Sequence, residues 1–380
     1  MTRGCLSYTR FSTTLTDATA LWRGRAPGEG QAARVWCDQR GLRYQAVRDA
    51  LTSKDPPDVP GQYGQACGQP PVVNRDPGQA LQVELTAVIV ALMDGEPLVL
   101  TIRDGTLLPS GPFASADRSL QASLRAWVEH QTGHPLGYVE QLYTFADRDR
   151  STDDPRRRVI SISYLGLTRP AHASDRPVAS WQSWYRYFPW EDWRGGAPTM
   201  IGKLIAPRLR AWAAAAEAPA LERKRLQRAR VTFGFDDVRW NEEMVLQRYE
   251  LLFEAGLVPE AVGGDCADLP GVQMQYDHRR ILATGIARLR AKIKYRPVVF
   301  ELMPECFTLL RLQRAVEALA GQSLHKQNFR RLIDSQDLVE ETGKLATETG
   351  GRPAKLFRFR PQVLIERAIS GTKLPLARST

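Results

Sequence analysis

The sequence predicts an α+β fold: a strand-rich body flanked by helices, followed by a C-terminal winged helix-turn-helix. Three observations predict it. Two β-rich runs, Val83–Leu92 and Pro97–Arg103, flank Asp94-Gly95, a dipeptide that closes tight hairpins. Helical spacing then sets in over Ser119–Gln131, with two more strand-like runs, Tyr138–Phe145 and Val159–Leu167, behind it. Near the end, Phe307–Phe359 parses as helix, turn, helix, strand, wing, strand.

In chain order, residues 1–78 are crowded with proline and glycine in their second half, and only Ala32–Leu51 could hold a helix. A disordered extension, or a start placed too far upstream, is the expectation. After the first hairpin, Leu107–Phe113 reads as a loop. The helix beyond it is closed by Thr132-Gly133, and a polar loop, Asp147–Arg158, separates the next two strands. Ser180–Trp193 (SWQSWYRYFPWEDW) holds four of the nine tryptophans. It suits a local apolar core or a dimer contact, or else a surface on which an adenine or nicotinamide ring stacks. Arg223–Arg230 is a solvated helical face or a phosphate contact. Asp237–Gly256 reads as a helix with Met244, Val245, Tyr249, Leu252 and Phe253 on one side, and Gly263–Pro270 as a loop. Asp277–Lys294 is a long helix with Ile281, Leu282, Ile286, Leu289 and Ile293 on one face. Arg279, Arg280, Arg288, Arg290 and Lys292 are assigned to its other faces. Tyr295-Arg296-Pro297 stops it. Such a helix, placed between body and C-terminal module, is a candidate route for a ligand-induced shift.

In the C-terminal module Thr308 is a plausible N-cap, Leu309, Leu312, Val316 and Leu319 share a face, and Gly321 ends the first helix. The second helix, His325–Asp334, turns His325, Phe329, Leu332 and Ile333 one way. Gln327, Arg330 and Arg331 point the other way, flanked by Lys326 and Asn328. These donors suit phosphates and purine edges in a major groove. Strands at Leu338–Glu340 and Leu356–Phe359 bracket a tip carrying Lys344, Gly350, Gly351, Arg352 and Lys355, whose cations suit phosphate. Residues 278–380 hold 20 Lys+Arg against 9 Asp+Glu, while the whole chain is +10, so the basic excess belongs to this end.

Composition narrows the rest. At 380 residues, 43% hydrophobic and 25% charged, the chain has the makeup of a water-soluble protein of two or three domains. The N-terminus lacks the apolar core of a signal peptide, and no run approaches the ~18 apolar residues of a membrane helix. A cytoplasmic location is expected. The five cysteines (Cys5, Cys37, Cys67, Cys266, Cys306) are scattered and form no CxxC pair, so neither disulfides nor a zinc site is expected.

The order strand, strand, Leu-Pro-x-Gly loop, helix ending in Thr-Gly, strand resembles the Nudix hydrolase fold, which implies a mixed sheet flanked by helices. In that family the helix supplies Arg-Glu and Glu-Glu pairs whose oxygens hold Mg²⁺ or Mn²⁺ on a diphosphate. Here Thr132-Gly133 puts Ala126 and Trp127, then His130 and Gln131, in those places. Shifting by one to align Arg125 leaves Glu129 as the one carboxylate. Neither register holds a metal. Leu136–Phe145, Tyr185–Trp193, Asp277–Leu302 and Phe307–Phe359 are similar to the Nudix-related transcriptional regulators of NAD metabolism, the NadQ/NrtR-like group. The resemblance covers about residues 80–370.

It implies a non-catalytic nucleotide-sensing domain at 79–297, with an inserted aromatic-rich segment at 171–270. A winged helix at 298–370 and a tail at 371–380 follow. It further implies a homodimeric repressor on palindromic operator DNA of NAD-biosynthesis genes, with no cofactor and a nucleotide effector: NAD, ADP-ribose or ATP. Lys326, Gln327, Asn328, Arg330, Arg331, Lys344, Arg352 and Lys355 are the candidate DNA contacts. Arg103, Tyr143 and Phe145 are the candidate effector contacts. The alternatives are an active pyrophosphohydrolase using Asp147, Asp149, Asp153 and Asp154, and an adaptor whose winged helix docks proteins.

Overall fold

The computed structural model describes residues 80–113, 118–134, 136–147, 157–169, 179–261, 269, 271–294, 298–346 and 353–360, all within the unit Asp76–Thr380. Outside them lie the expectations for 1–78 and 371–380, most of the Asp147–Arg158 and Gly263–Pro270 loops and the stop at Tyr295–Pro297. So do the tip residues Gly350, Gly351 and Arg352, and Cys5, Cys37, Cys67 and Cys266.

The body is a mixed sheet. Strands β1 (Ala80–Met93) and β2 (Glu96–Ile102) form the expected hairpin, with Met93 opposite Glu96. Asp94 (φ 51°) and Gly95 (φ 79°) both take the left-handed conformation that a two-residue hairpin turn requires. The assigned loop at Leu107–Phe113 contains a short strand, β3 (Ser110–Pro112), antiparallel to the start of β1. Helix α1 (Leu120–Thr132) follows, capped by the Ser119 side chain at one end and by left-handed Gly133 (φ 71°) at the other. Strands β4 (Tyr138–Phe145), β5 (Arg157–Leu167) and β6 (Ala179–Ser183) complete the order β4-β5-β1-β2-β6. Only β1 and β5 run parallel among the paired strands.

Both faces of this sheet are covered, so β1 reads as a continuous apolar run instead of an alternating one. Leu85, Ala87 and Ile89 pack with Leu124 and Val128 of α1. Val88 and Val90 face the other way, onto a long helix from near the end of the body. Each such valine stabilises by about 1.5–3 kcal/mol.

The segment after β6 folds as two 3-10 turns (Trp184–Arg186 and Pro189–Glu191), a π turn (Ile201–Ile205) running into α2 (Ala206–Ala214), then α3 (Pro219–Phe233) and α4 (Val245–Glu254). Helix α4 is shorter than the Asp237–Gly256 expected. The Asn241 side chain accepts from Glu243 N (3.0 Å), a local turn that competes with helix until Met244. Of the two readings of the aromatic segment, core is what the fold makes of it: Trp184, Tyr187, Phe188 and Trp190 are fully buried.

Helix α5 (His278–Ile293) lies on the sheet, and Gly285 lets it approach closely. A Cβ there would sit 2.8 Å from Val88 Cγ1. The outward placement of Arg279 and Arg290 is corrected, because both are fully buried. Arg279 reaches Glu260 (3.1 Å) and Arg290 reaches Glu191 (2.6 Å).

After a 3-10 turn (Val298–Leu302) come α6 (Leu309–Ala320), α7 (Lys326–Ser335), β7 (Val339–Ala346) and β8 (Ala354–Phe359). The two strands pair antiparallel, with Val339 opposite Phe359, and bulge between Glu341 and Leu345. Strand β7 therefore runs further than Leu338–Glu340, and Lys344 lies in this bulge, beside left-handed Gly343 (φ 74°), not at the tip. Lys355 likewise belongs to β8.

Candidate DNA interface and sensor site

The C-terminal winged helix, the candidate DNA reader, is assembled around α6. Thr308 Oγ1 caps it by accepting from Arg311 N (3.1 Å), and Gly321 (φ 71°) ends it. Gln313 Nε2 donates to Leu324 O (3.0 Å) and Glu317 Oε1 accepts from Leu324 N (2.8 Å), which fixes the turn into α7. Phe329 and Ile333 are buried, as the helical spacing requires, whereas His325 is exposed despite its assignment to that face. Lys326, Gln327, Asn328, Arg330 and Arg331 are all exposed. None of the three cations on α7 forms an ion pair with a described residue.

The wing is different. Lys355 Nζ sits 2.8 Å from Glu341 Oε1 and Arg358 Nε 2.6 Å from Glu340 Oε1, and Arg360 pairs with Asp337. Lys344 is exposed and unpaired among the described residues, and Arg352 lies outside them. The charge argument also changes. Seven of the 20 basic residues in 278–380 precede Val298, and between 298 and 360 there are ten Lys+Arg against eight Asp+Glu. Placement of cations, more than their excess, distinguishes this module: among the described residues those on α7 are unpaired, while Lys355, Arg358 and Arg360 of the wing are neutralised.

In the body, the helix that would carry metal-binding carboxylates is α1. Trp127 Nε1 donates to Pro112 O (3.0 Å), and the Trp127 ring fills the space a side chain at Gly111 would need. Gln131 accepts from Ser110 N (3.2 Å) and donates to Ser110 O (2.6 Å). A carboxylate accepts only and could not make the second bond. These positions fasten the helix to β3 through neutral groups. Among the described residues no group of three or more His, Cys, Asp or Glu is placed to hold a metal. Asp147 is engaged by Arg280, and Asp149, Asp153 and Asp154 lie outside the described residues. The described residues do not fit a Nudix-type cation.

The three candidate effector contacts are not brought together. Arg103 is exposed just past β2 with φ 48°, and its carbonyl accepts from Thr106 Oγ1 (2.8 Å). Tyr143 is 59% exposed on β4. That strand lies three places from β2, on the order of 14 Å away at about 4.8 Å per strand. Phe145 is corrected: it is 2% exposed, with the Arg280 guanidinium 4.9 Å from its ring centre, and is a core residue.

Sequence reasoning missed a buried ionic joint inside the body, from which Arg290 Nε also donates to Leu319 O of the reader (3.0 Å). Glu191, 1% exposed, accepts from Arg248 Nε (2.5 Å) and Arg290 Nη1 (2.6 Å). Burial lowers Arg248 from its ordinary value against the pull of Glu191. Burial opposes the charge of Arg290 too, but Tyr185 and Glu191 hold it above its ordinary value. The available signal was angular: on a helix, position 279 lies about 20° from Ile286, on the apolar face.

Comparison with known proteins places the reader. Residues 299–359 match the NrtR DNA-binding winged helix domain. Over 91 residues the chain is 38% identical to an "ADPR responsive transcriptional repressor NtrR" of Acinetobacter baylyi. That match spans 24% of this chain and 36% of the relative. Among solved structures, Shewanella oneidensis NrtR complexed with a 27mer DNA aligns over 74% of this chain and 95% of its own, at 20% identity and a TM-score of 0.46. A MutT/nudix family protein from Enterococcus faecalis aligns over 74% and 89%, at 17% identity and a TM-score of 0.43. Residues 299–359 are thus a winged helix of the NrtR DNA-binding type, and the chain is similar to the Nudix-related NrtR regulators.

Proposed function

We propose that the chain is a transcriptional repressor that binds operator DNA through α7 and its wing and responds to a nucleotide effector, ADP-ribose first among ADP-ribose, NAD and ATP. The observation that carries this reading is the exposed face Lys326, Gln327, Asn328, Arg330 and Arg331, free of ion pairs to the described residues, on the second helix of an NrtR-type winged helix. ADP-ribose is preferred over NAD and ATP because the Acinetobacter relative is named for responding to it. Residues 79–297 are the sensor and 298–370 the reader in this reading. The protein acts in the cytoplasm as a homodimer on palindromic sites near NAD-biosynthesis genes, since two-fold symmetry doubles the contacts. No helix among the described residues is long and apolar enough to cross a membrane. The sensor binds without cleaving, because Trp127, His130 and Gln131 stand where carboxylates would hold a metal.

The test is a titration of the full chain against promoter fragments of NAD-biosynthesis genes, at fixed salt, with and without ADP-ribose, NAD and ATP. Specific binding shifted by ADP-ribose is the expected result. Absence of specific binding refutes the repressor and brings the protein-docking adaptor forward. Mg²⁺- or Mn²⁺-dependent turnover of ADP-ribose in the same preparation refutes the non-catalytic sensor.

A further inference from the structure

Helix α6 of the reader is held by its carbonyl end. Tyr185 Oη donates to Ala318 O (2.6 Å), Arg290 Nε to Leu319 O (3.0 Å) and Trp193 N to Gly321 O (2.7 Å). The last carbonyls of a helix have no partner within it, and a cation there meets the favourable end of the helix dipole. The body supplies both. Contact is close enough that a Cβ at Gly321 would run into Glu191 O and lie 2.7 Å from Arg290 Nη2.

Two residues beyond Tyr185, Tyr187 reaches a different part of the body. Its Oη donates to Gly105 O (2.6 Å), in the turn that follows β2. In that turn Arg103 (φ 48°) and Asp104 (φ 54°) are left-handed without being glycine. Such residues persist where their surroundings over-determine them, and they collect at ligand clamps and switches. Both phenol rings are buried, and burial raises both phenols, which keeps them protonated as donors. The segment between them is braced: Tyr187 O accepts from Arg279 Nη2 (2.5 Å), and Tyr187 N closes the 3-10 turn on Trp184 O (3.1 Å). A displacement of the Arg103–Thr106 turn therefore has little slack to be absorbed before it reaches Ala318.

We propose that Tyr187 and Tyr185 are the two ends of a tie. It passes a change at the Arg103–Thr106 turn to the carbonyl end of α6, and so to the pose in which α7 meets DNA. This rests on the repressor reading above, and both tyrosines are positioning residues that touch neither DNA nor effector.

The experiment compares the full-length chain with Tyr187→Phe and Tyr185→Phe. It measures DNA affinity with and without saturating ADP-ribose, ADP-ribose affinity by calorimetry, and amide hydrogen exchange over 318–329 without nucleotide. In Tyr187→Phe, ADP-ribose affinity and nucleotide-free DNA affinity stay within about twofold of the parent. The ratio of DNA affinities with and without ADP-ribose shrinks by about 2- to 30-fold. Amide exchange rises over 321–329, which Tyr187 does not contact by any hydrogen bond. Tyr185→Phe shrinks the same ratio. A full ratio in both variants, or unchanged exchange over 321–329 in Tyr187→Phe, overturns the tie. If the parent binds DNA and ADP-ribose leaves that binding unaltered, the effector reading fails instead, and the exchange measurement alone decides the tie.

Discussion

Glu191→Gln is the sharpest test of the buried ionic joint in the body on which the reader rests. The carboxylate is buried between two guanidinium groups that are themselves fully buried, with Oε1 taking Arg248 Nε and Oε2 taking both Arg248 Nη2 (2.9 Å) and Arg290 Nη1 (2.6 Å). An amide keeps the shape, removes the negative charge and turns one acceptor into a donor facing a guanidinium. Removing one partner of a buried pair costs about 3–5 kcal/mol, because an uncompensated charge stays behind. At about 2–4 °C per kcal/mol for a body of this size, the first thermal transition should fall by roughly 6–20 °C. Scanning calorimetry and urea unfolding measure it. The cause is separated from lost packing by a cycle with Arg248→Met: with one cation gone, the two changes should cost less together than their sum, by about 0.5–3 kcal/mol. A single-variant loss under about 1 kcal/mol, or strict additivity, would refute the claim that buried charge balance holds this joint.

Other expectations concern the reader and one buried histidine. Arg330→Ala and Arg331→Ala should each weaken operator binding by about 1–3 kcal/mol in an anisotropy titration, and unchanged affinity in both removes α7 from the interface. Lys344→Ala should weaken specific and non-specific DNA alike and reduce the salt slope by about 1. Lys355→Ala should reduce it less, because Glu341 already neutralises that cation. His278 Nδ1 accepts from Leu108 N (2.9 Å), and burial pushes its pKa from 6.5 down to about 4. A depressed folded value means that stability is complete above pH 6.5 and is lost as the pH falls towards 4, by about 3 kcal/mol in all. Chemical melts of His278→Gln should lack that part of the slope, and identical slopes in both proteins would sink the assignment.

Local rules made much of this fold legible. Asp94-Gly95, Gly133, Thr308 and Gly321 mark turns and caps through their own backbone and side-chain chemistry, and each is found doing so. The exposed and buried faces of α7 followed from a 100° rotation per residue, His325 excepted. What depended on distant partners was not legible. Arg279 and Arg290 read as surface cations because their carboxylates, Glu260 and Glu191, lie 19 and 99 residues away in the chain. Phe145 read as a ligand contact because nothing in its strand announces that Arg280 covers it. Lys344 was displaced from the tip by a bulge, which a period-2 pattern does not reveal.

The ion pairs of the wing bear on how the protein finds a site among many. Lys355, Arg358 and Arg360 each face an acid on the neighbouring strand or at its start. To touch phosphate, each must leave a carboxylate uncovered beside a polyanion. Random duplex, which offers charge and little else, repays that exchange poorly. A site that also engages the base-facing donors of α7 repays it better. In the repressor reading, the acids Asp337, Glu340 and Glu341 should lower affinity for bulk DNA more than for a matched sequence. Neutralising them should make a tighter but less discriminating binder, slower to leave the wrong places on a chromosome.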